Sequence, residues 1–427
     1  MTDRFKPVDW AHFTNIYEVN VRQYTTEGTF NAFAKELPRL KEMGVHTLWF
    51  MPITPISEKK KKGSLGSYYA CSDYTSINPE FGTLADFKNL VDRSHEMGFK
   101  VIIDWVANHT GWDHTWTVEH PEYYKMDPVT NDFQMAHAMD DIIELDFTKQ
   151  AVRKAMKDAM QFWVSACDID GFRCDLAFWV ELNFWKEARK ELDSVKPLFW
   201  LGEYDEVDRP EYGEAFDASY TWKWMYQASV FSKGLSSIDA LIALLKRYDD
   251  LGDSTMRAWF TTNHDENSWN GTEYEKYGDM AKALAVFSAT WNGIPLIYSG
   301  QELPNKKRLE FFDKDVIDWT GNNELHDFYK TILTLHSTNS SLRGGDSSVQ
   351  TFIINTTDAR NCLAYLRKNE ESEVLVIINL SAENIEIDIV DENVKGVFKD
   401  VFFNSDRELT SHRSFELQAW GYFVYAK

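Results

Sequence analysis

The chain is poor in cysteine, and its few cysteines form no recognisable pattern. Only four occur in 427 residues, at Cys71, Cys167, Cys174 and Cys362, and none shows the C-x-x-C spacing of a zinc site or a redox pair. Their scatter also argues against a disulfide framework, which small secreted domains use to supplement a small core. We therefore expect reduced thiols and a fold that is held together by packing.

Basic residues and long apolar runs are also scarce. Lys and Arg total 45 against 67 Asp and Glu, and this net charge of -22 argues against binding to DNA, RNA or an anionic membrane. No uninterrupted apolar run approaches the length that spans a bilayer, and the opening MTDRFKPVDW lacks the basic and apolar blocks of a signal peptide. We expect no nucleic-acid partner, no membrane association, a cytoplasmic location and a neutral ligand.

The chain does have a large apolar content, arranged in short alternating segments. Hydrophobic residues make up 44% and aromatic residues 15%, and the length accommodates a barrel of about 250 residues together with a further domain. Short apolar runs alternate with amphipathic segments, which is typical of strand-helix units in a parallel sheet. The eight predicted strands cover residues 16–21, 45–51, 100–106, 169–175, 197–203, 214–220, 256–262 and 294–300. The sequence therefore predicts an α/β fold, a closed (β/α)8 TIM barrel.

Two segments depart from this alternation and define the remaining predicted domains. Residues 110–147 are too long for an ordinary connection, and we interpret them as a short inserted lobe after the third strand. Residues 342–427 contain short alternating strands and polar turns, which predict a C-terminal antiparallel β-sandwich. The barrel then comprises residues 1–109 and 148–341. The run Lys59–Lys62 lies in a connection, and we interpret it as a solvated loop tip.

Four predicted strands end in polar residues, in the stretches VIIDWVANH, DGFRCDLAF, WLGEYDE and WFTTNHDEN. The side chains placed there are Asp104, Asn108, His109, Arg173, Asp175, Glu203, His264 and Asp265. In a closed parallel barrel these positions converge on one rim. Carboxylates that crowd into one cleft repel each other and lose solvation, so they indicate a catalytic site that depends on their protonation states. Cleavage of an acetal fits such a site, because it needs one carboxyl group as an acid and another as a nucleophile.

These stretches resemble the four motif regions of the alpha-amylase superfamily of glycoside hydrolases. DWVANH, GFRCD, GEYDE and TNHDENSW occur in the family's order, and EFGT after SDY matches a flanking signature. The resemblance implies that Asp175 is the nucleophile, Glu203 the acid and base, and Asp265 a third acid that binds sugar hydroxyls. It therefore implies a covalent glycosyl intermediate, retention of anomeric configuration, and carboxyl groups about 5 to 5.5 Å apart.

The residues around these acids have expected roles that follow from the same resemblance. Arg173 lies two residues before Asp175 on one strand face, and its charge should keep Asp175 ionised at neutral pH, whereas Glu203 needs a raised pKa. His109 and His264 should donate hydrogen bonds to the same sugar. Further expected positions are Tyr69 as the aromatic platform, with Tyr68 as the alternative, and Asp104 as a support for Arg173.

The chain also departs from the family pattern. Phe178 and Trp179 stand where many members carry a Lys-His pair. The resemblance therefore implies that these two side chains contact the substrate and make the leaving-group side of the cleft more apolar. No cofactor is required, and calcium binding stays open. Asn108 matches a frequent calcium ligand, and the inserted lobe offers further oxygen donors at Asp127, Asp132, Asp140 and Asp141. The residues Trp112, Trp116, Trp222, Trp224 and Trp269 could line sugar subsites or serve only in packing.

The leading hypothesis is a retaining hydrolase of alpha-1,4-glucosidic bonds in starch-like glucans or malto-oligosaccharides. The segment from Ser64 to Ser72 has no acidic residue, whereas exo-acting relatives usually place an Asp there, so we expect an open cleft and endo-acting cleavage. The alternatives are a cyclomaltodextrinase or a 4-alpha-glucanotransferase with the same acids, and, more distantly, an inactive amylase-like binding protein. The sequence indicates no particular oligomeric state.

Overall fold

The computed structural model describes residues 5–252 and 255–427. Its strands are β1 Ile16–Val19, β2 Thr47–Phe50, β3 Lys100–Trp105, β4 His109–Gly111, β5 Ile142–Glu144, β6 Gly171–Cys174, β7 Phe199–Asp205, β8 Ala218–Tyr220, β9 Met256–Trp259, β10 Ile294–Tyr298, β11 Gln350–Ile353, β12 Cys362–Lys368, β13 Glu373–Asn379, β14 Ile385–Asp388, β15 Val397–Asp400, β16 Asp406–Glu408, β17 Ser414–Leu417 and β18 Tyr422–Ala426. Eight of them close a parallel barrel in the order β1-β10-β9-β8-β7-β6-β3-β2. The predicted TIM barrel is therefore confirmed.

The helices lie mainly between the barrel strands. The α-helices are α1 Val21–Tyr24, α2 Phe30–Phe33, α3 Leu37–Glu42, α4 Leu84–Glu96, α5 Thr115–Glu119, α6 Gln150–Cys167, α7 Leu182–Asp193, α8 Trp222–Ser232, α9 Ile238–Asp249, α10 Glu273–Tyr277, α11 Ala281–Thr290 and α12 His326–Thr338. A π-helical turn covers Glu266–Asn270, and short 3-10 segments cover Asp9–Phe13, Pro121–Tyr123, Ala136–Ala138, Ala177–Trp179, Pro210–Glu214, Gly278–Met280 and Ser340–Leu342. Within the described ranges, no helix has both the length and the apolar character needed to cross a membrane.

Local sequence signals explain where these helices begin and end. Thr83 and Asp86 form a reciprocal capping box at the start of α4. Gly44 and Gly98 follow helices with φ of 88° and 78°, a backbone region that glycine enters without steric cost. The periodicity predicts one helix up to Gly44, but the structure divides it into α2 and α3. Pro38 stands at the start of α3, where its missing N–H needs no partner.

The barrel strands carry large buried side chains on both sides, because both faces of a parallel sheet are covered. Trp49 lies on the inner side, where its Nε1 donates to Asp104 at 3.3 Å. Trp200 and Trp259 lie on the outer side, against Asp193 of α7 and Phe287 of α11. The close approach of β6 and β7 requires a glycine, because a Cβ at Gly171 would lie 2.0 Å from the carbonyl oxygen of Phe199. Strands β6 and β7 therefore lie close together below the rim that carries the acids.

Two further β-structures flank the barrel. After β3, strands β4 and β5 pair antiparallel, and α5 lies between them in the sequence. At the C-terminal end, a six-stranded antiparallel sheet of order β11-β12-β13-β18-β15-β16 faces the pair β14-β17, with an apolar core that includes Leu375, Phe398 and Phe415. This sheet meets the barrel where the Tyr365 hydroxyl lies 2.6 Å from the Thr290 hydroxyl. The predicted C-terminal antiparallel strands are confirmed.

Candidate active site

The structure brings the three predicted acids to one cavity at the C-terminal rim of the barrel. Asp175 follows β6, Glu203 lies within β7, and Asp265 lies beyond β9. All three line a cavity of about 420 Å³, together with Tyr69 and His109. These residues lie far apart in the chain, and the parallel direction of the strands places them at the same end.

Arg173 connects the carboxylates at the base of this cavity. Its Nη1 donates to Asp104 at 2.9 Å and to Asp175 at 3.0 Å, and its Nη2 lies 2.8 Å from Oε2 of Glu203. The guanidinium side chain is completely buried, and its Nε donates to the Tyr220 hydroxyl at 3.2 Å. One fixed cation therefore orients three carboxylates, each at a defined nitrogen.

Burial decides the protonation of these carboxylates. It raises the pKa of Asp175 to about 7, because desolvation outweighs the lowering by Arg173 and Asp104 adds repulsion. The pKa of Glu203 is likewise raised to about 7, as expected, and that of Asp104 to about 6. Arg173 lowers the pKa of Asp175, as expected, but burial and the neighbouring carboxylates outweigh it, since three carboxylates share one guanidinium. The Asp175 carboxylate also contributes to the raised pKa of Glu203, by repulsion.

A strained turn after β6 helps to hold Glu203. Leu176 has φ of 39° and ψ of 51°, a left-handed conformation that is uncommon for a branched residue and costs on the order of 1 kcal/mol or more. This turn directs the Leu176 N–H to Oε2 of Glu203 at 2.8 Å. The same turn places Leu176 in the cavity wall.

His264 lies beneath the cavity between two acids. Its Nδ1 is 2.5 Å from Oε1 of Glu18, and its Nε2 is 2.6 Å from the Tyr69 hydroxyl and 3.4 Å from Asp265. Burial lowers the pKa of His264, but the carboxylates of Asp265 and Glu18 outweigh it and raise the pKa to about 9. A protonated imidazole therefore stands behind Tyr69, and His264 itself is not in the cavity wall.

Glu18 was missed in the sequence analysis, although a signal for it exists. It is the one charged residue in the predicted strand IYEVNV, and it is completely buried. A charged residue in a fully buried strand requires a partner. Its partner, however, lies 246 residues away and could not be identified from the pattern.

His109 differs from His264 in its charge. Burial lowers the pKa of His109 to about 3, with a smaller contribution from His137, so the imidazole is neutral. Its Nε2 has no hydrogen-bond partner among the described residues, and the side chain lines the cavity. Asn108 lies behind it, with Nδ2 at 3.4 Å from Nδ1 of His109. An unpaired ring nitrogen at a cavity wall is available to a ligand hydroxyl.

Aromatic side chains form one wall of the cavity. Tyr69 and Phe311 are nearly parallel, with ring centroids 6.2 Å apart, and Trp269 lies 5.2 Å from Phe311 and is 52% exposed. Phe312 completes this wall. Tyr68 is buried away from the cavity under the guanidinium of Arg22, so of the two tyrosines only Tyr69 faces it. Phe311 and Phe312 carried no sequence signal, because no repeat or motif surrounds them.

The other predicted aromatic positions lie elsewhere. Trp179 stacks on His137 with ring centroids 3.5 Å apart, and Arg209 covers Phe178 at 5.9 Å. Neither Phe178 nor Trp179 is among the residues that line the cavity with the acids. Among the tryptophans that were left open, only Trp269 lines this cavity, while the indoles of Trp112 and Trp224 are buried in packing contacts.

The oxygen donors proposed for calcium do not form a cage. Asp140 and Asp141 both contact the Lys62 ammonium, at 3.0 and 2.8 Å, so a protein cation already occupies the space between them. Asp127 and Asp132 accept backbone N–H groups within their own turns. Within residues 5–252 and 255–427, no group of three or more His, Cys, Asp or Glu side chains is arranged around a common point. The predicted ligand set therefore does not fit calcium.

Comparison with known proteins agrees with this geometry. A sequence model described as the alpha amylase catalytic domain matches residues 2–138 and 120–332, and one described as the maltogenic amylase C-terminal domain matches residues 352–424. A maltogenic alpha-amylase from Bacillus acidopullulyticus is 25% identical over 92% of this chain and 69% of its own length. A cyclomaltodextrinase from Geobacillus thermopakistaniensis is 26% identical over 84% of this chain, which spans only 63% of that longer relative.

Solved structures give the same picture over the whole chain. A noncanonic maltogenic alpha-amylase from Thermotoga neapolitana superposes with a TM-score of 0.87 at 29% identity, covering 97% of this chain and 99% of that one. An alpha-amylase from Lactobacillus plantarum superposes with a TM-score of 0.85 at 27% identity, covering 98% and 99%. The similarity therefore includes the barrel, the segment inserted after β3 and the C-terminal sheets.

Proposed function

The chain belongs to the alpha-amylase family of glycoside hydrolases, and on that basis we propose that it hydrolyses alpha-1,4-glucosidic bonds in malto-oligosaccharides and starch-like glucans. The observation that carries the proposal is the pair Asp175 and Glu203 on the two terminal nitrogens of one buried Arg173, at the wall of one cavity. Two carboxyl groups on opposite sides of an anomeric carbon are what a retaining mechanism requires.

In the first step, the Asp175 carboxylate forms a bond to the anomeric carbon while Glu203 transfers its proton to the departing glucosidic oxygen. The bond between the anomeric carbon and that oxygen breaks, and the leaving chain departs as a neutral alcohol. Because the pKa values of both carboxyls are raised to about 7, the pair readily holds one proton near neutrality, which is the charge state this step uses.

In the second step, the ionised Glu203 takes a proton from water, and the water oxygen attacks the anomeric carbon. The ester to Asp175 breaks, and the glucose unit leaves with its original configuration. We assign to Asp265 the binding of hydroxyls on the reacting sugar, and to His109 a hydrogen bond through its unpaired Nε2. Tyr69 provides the apolar face under the same sugar.

The mode of cleavage is a finer part of the proposal. The absence of an acidic residue in residues 64–72 favours endo-acting cleavage. A second candidate, a cyclomaltodextrinase-like enzyme for short dextrins, is favoured by the size of the cavity and by the Lys62 side chain in its wall. Relatives named cyclomaltodextrinase and neopullulanase support this candidate. Both modes use the same acids, so product length distinguishes them.

Product analysis tests the proposal directly. Purified protein is incubated with soluble starch, maltoheptaose and β-cyclodextrin, and the products are resolved by chromatography. Proton NMR of the first products gives the anomer, and α-products are expected. Asp175→Asn should abolish the activity, and Lys35→Met, an exposed change on the barrel surface, should leave it intact.

Each alternative gives a distinct result in this assay. Preference for β-cyclodextrin over starch would favour the second candidate, and products longer than maltoheptaose would identify a glucanotransferase. Inversion at the anomeric carbon would refute the assigned roles. If wild-type protein and Asp175→Asn both bind maltoheptaose but release no sugar, the protein is an inactive binding module.

A further inference from the structure

A lysine-rich loop lies beside the cavity and contributes one residue to its wall. This lysine loop, residues 58–65, lies between β2 and Tyr69 in the chain. On one side, the N–H groups of Glu58 and Lys59 donate to Asp113 at 2.9 and 3.0 Å, which fixes the loop to the segment between β4 and β5. On the other side, the Leu65 N–H donates to the carbonyl of Phe312 at 3.0 Å. The loop is therefore anchored on both sides of Lys62, next to the cavity.

Within this loop, Lys62 is the residue that faces the cavity. The interpretation of the whole run as a solvated tip is wrong for this residue, because Lys62 lines the cavity and its side chain is only 35% exposed. The neighbouring Lys59 is exposed and lies against the ring of Trp112 at 5.3 Å. Lys62 therefore faces the cavity and Lys59 the solvent, although both belong to the same loop.

The Lys62 ammonium is held in place by charge. Its Nζ lies 2.8 Å from Asp141 and 3.0 Å from Asp140, and the ring of Phe312 is 6.0 Å away. Burial lowers the pKa of Lys62, but the two carboxylates outweigh it and raise the pKa above its ordinary value, so the group is charged at neutral pH. An ammonium has three N–H donors, and two carboxylates engage at most two of them in direct pairs.

The surroundings of Lys62 suit a sugar better than an anion. Met139, Ile142 and Phe312 are apolar side chains that line the same cavity. Asp140 and Asp141 outnumber its single charge, so an anionic ligand would meet a net negative site and not a positive one. A neutral hydroxyl accepts the remaining N–H without adding charge, and a sugar ring covers the apolar side chains.

We propose that Lys62 is a specificity-determining residue, which donates a hydrogen bond to a glucose unit bound in the cavity. The inference rests on the proposed function, and it adds the register in which a chain binds. Because the loop is anchored on both sides and Asp140 and Asp141 hold the ammonium, the Lys62 donor stays at one place in the cavity wall. The enzyme should therefore favour one number of glucose units between the unit at Lys62 and the reacting bond.

The test compares Lys62→Met with Lys59→Met, which removes an exposed ammonium from the same loop. Maltoheptaose labelled at its reducing end is digested, and the labelled and unlabelled products are followed from the first minutes. The wild-type protein and Lys59→Met should give one dominant product length on one side of the cut. Lys62→Met should broaden that distribution, and its kcat/KM for maltotriose should fall about 10- to 100-fold, as for loss of a hydrogen bond to a charged group. Its kcat/KM for amylose should stay within about threefold, because a long chain has many further contacts.

The outcomes separate this inference from the proposed function. If the wild-type protein releases no sugar from any alpha-glucan, the proposed function fails. If it is active but Lys62→Met and Lys59→Met give the same products and the same ratio of kcat/KM for maltotriose to that for amylose, the role of Lys62 is refuted alone. If Lys62→Met does not fold, Lys62→Gln, which keeps a donor for Asp141 on a shorter stem, replaces it with the same expected broadening.

Discussion

Replacing Glu18 by Gln tests whether the protein holds a charged histidine beneath its reacting centre. Glu18 is completely buried on β1, and its Oε1 lies 2.5 Å from Nδ1 of His264. The other ring nitrogen is 3.4 Å from Asp265. Burial lowers the pKa of His264, but Asp265 and Glu18 raise it to about 9, against an ordinary value of 6.5. The Glu18→Gln change removes one of these two carboxylates and nearly preserves the side-chain volume.

The size of the effect follows from these pKa values. A rise from 6.5 to about 9 corresponds to about 3 kcal/mol, at about 1.4 kcal/mol per pKa unit. Because the folded pKa is raised, this stabilisation is complete below pH 6.5 and is lost as pH rises through about 9. Asp265 raises this pKa by its charge, and Glu18 by its charge and its hydrogen bond, so we assign about half of the effect, about 1 to 2 kcal/mol, to Glu18. The Glu18→Gln protein should lose that amount at acid pH only.

Denaturant unfolding at about pH 6 and about pH 10 measures the effect. The free energy of unfolding of Glu18→Gln should fall below that of the wild-type protein by about 1 to 2 kcal/mol more at the lower pH than at the higher. Glu302→Gln is the matched control. Glu302 is equally buried, but it pairs with the Tyr17 hydroxyl at 2.7 Å and with Arg39 at 3.0 Å, and neither partner titrates between these pH values. Equal losses for Glu18→Gln at both pH values would refute a charged His264.

Three further predictions concern the acid, the aromatic wall and the barrel. Because burial raises the pKa of Glu203 to about 7, kcat/KM should fall as pH rises above about 7, where the acid loses its proton. Glu203→Gln should lower kcat/KM at least about 100-fold and lack this basic limb in a pH profile, and a wild-type profile without it would contradict the assignment. Phe311→Ala should raise KM for maltotriose about 3- to 10-fold with little change in kcat, because it removes the ring that packs against Tyr69. An unchanged KM in steady-state kinetics would contradict a role of this aromatic wall in sugar binding. Gly171→Ala should destabilise the fold by about 3 kcal/mol or more in thermal unfolding, because its Cβ would lie 2.0 Å from the Phe199 carbonyl oxygen. The control Gly234→Ala has nothing within 4 Å of its Cβ and should cost only about 1 kcal/mol, for its positive φ. Similar losses for the two variants would disprove the steric argument.

The sequence by itself determined the barrel and the rim on which the acids lie. Eight apolar runs separated by amphipathic segments are a local pattern, and each predicted strand is present in the structure. Once the strands are parallel and closed, their C-terminal ends share one rim, so residues after separate strands must converge there. The sequence alone could therefore place Asp175, Glu203 and Asp265 at one site, whereas their catalytic roles are proposed.

Only the tertiary structure decided which other residues reach that cavity and how the acids are charged. Glu18 meets His264 across the barrel, and Phe311 and Lys62 enter the cavity from loops whose paths no periodicity fixes. The pKa values of the catalytic carboxyl groups also depend on how the folded chain packs around them. Arg173 lies beside Asp175 as the strand pattern predicts, yet the pKa of Asp175 is raised, because desolvation and competing carboxylates are properties of the assembled site. Local patterns fix strand direction and side-chain alternation, whereas burial and distances between loops arise only when the chain is folded.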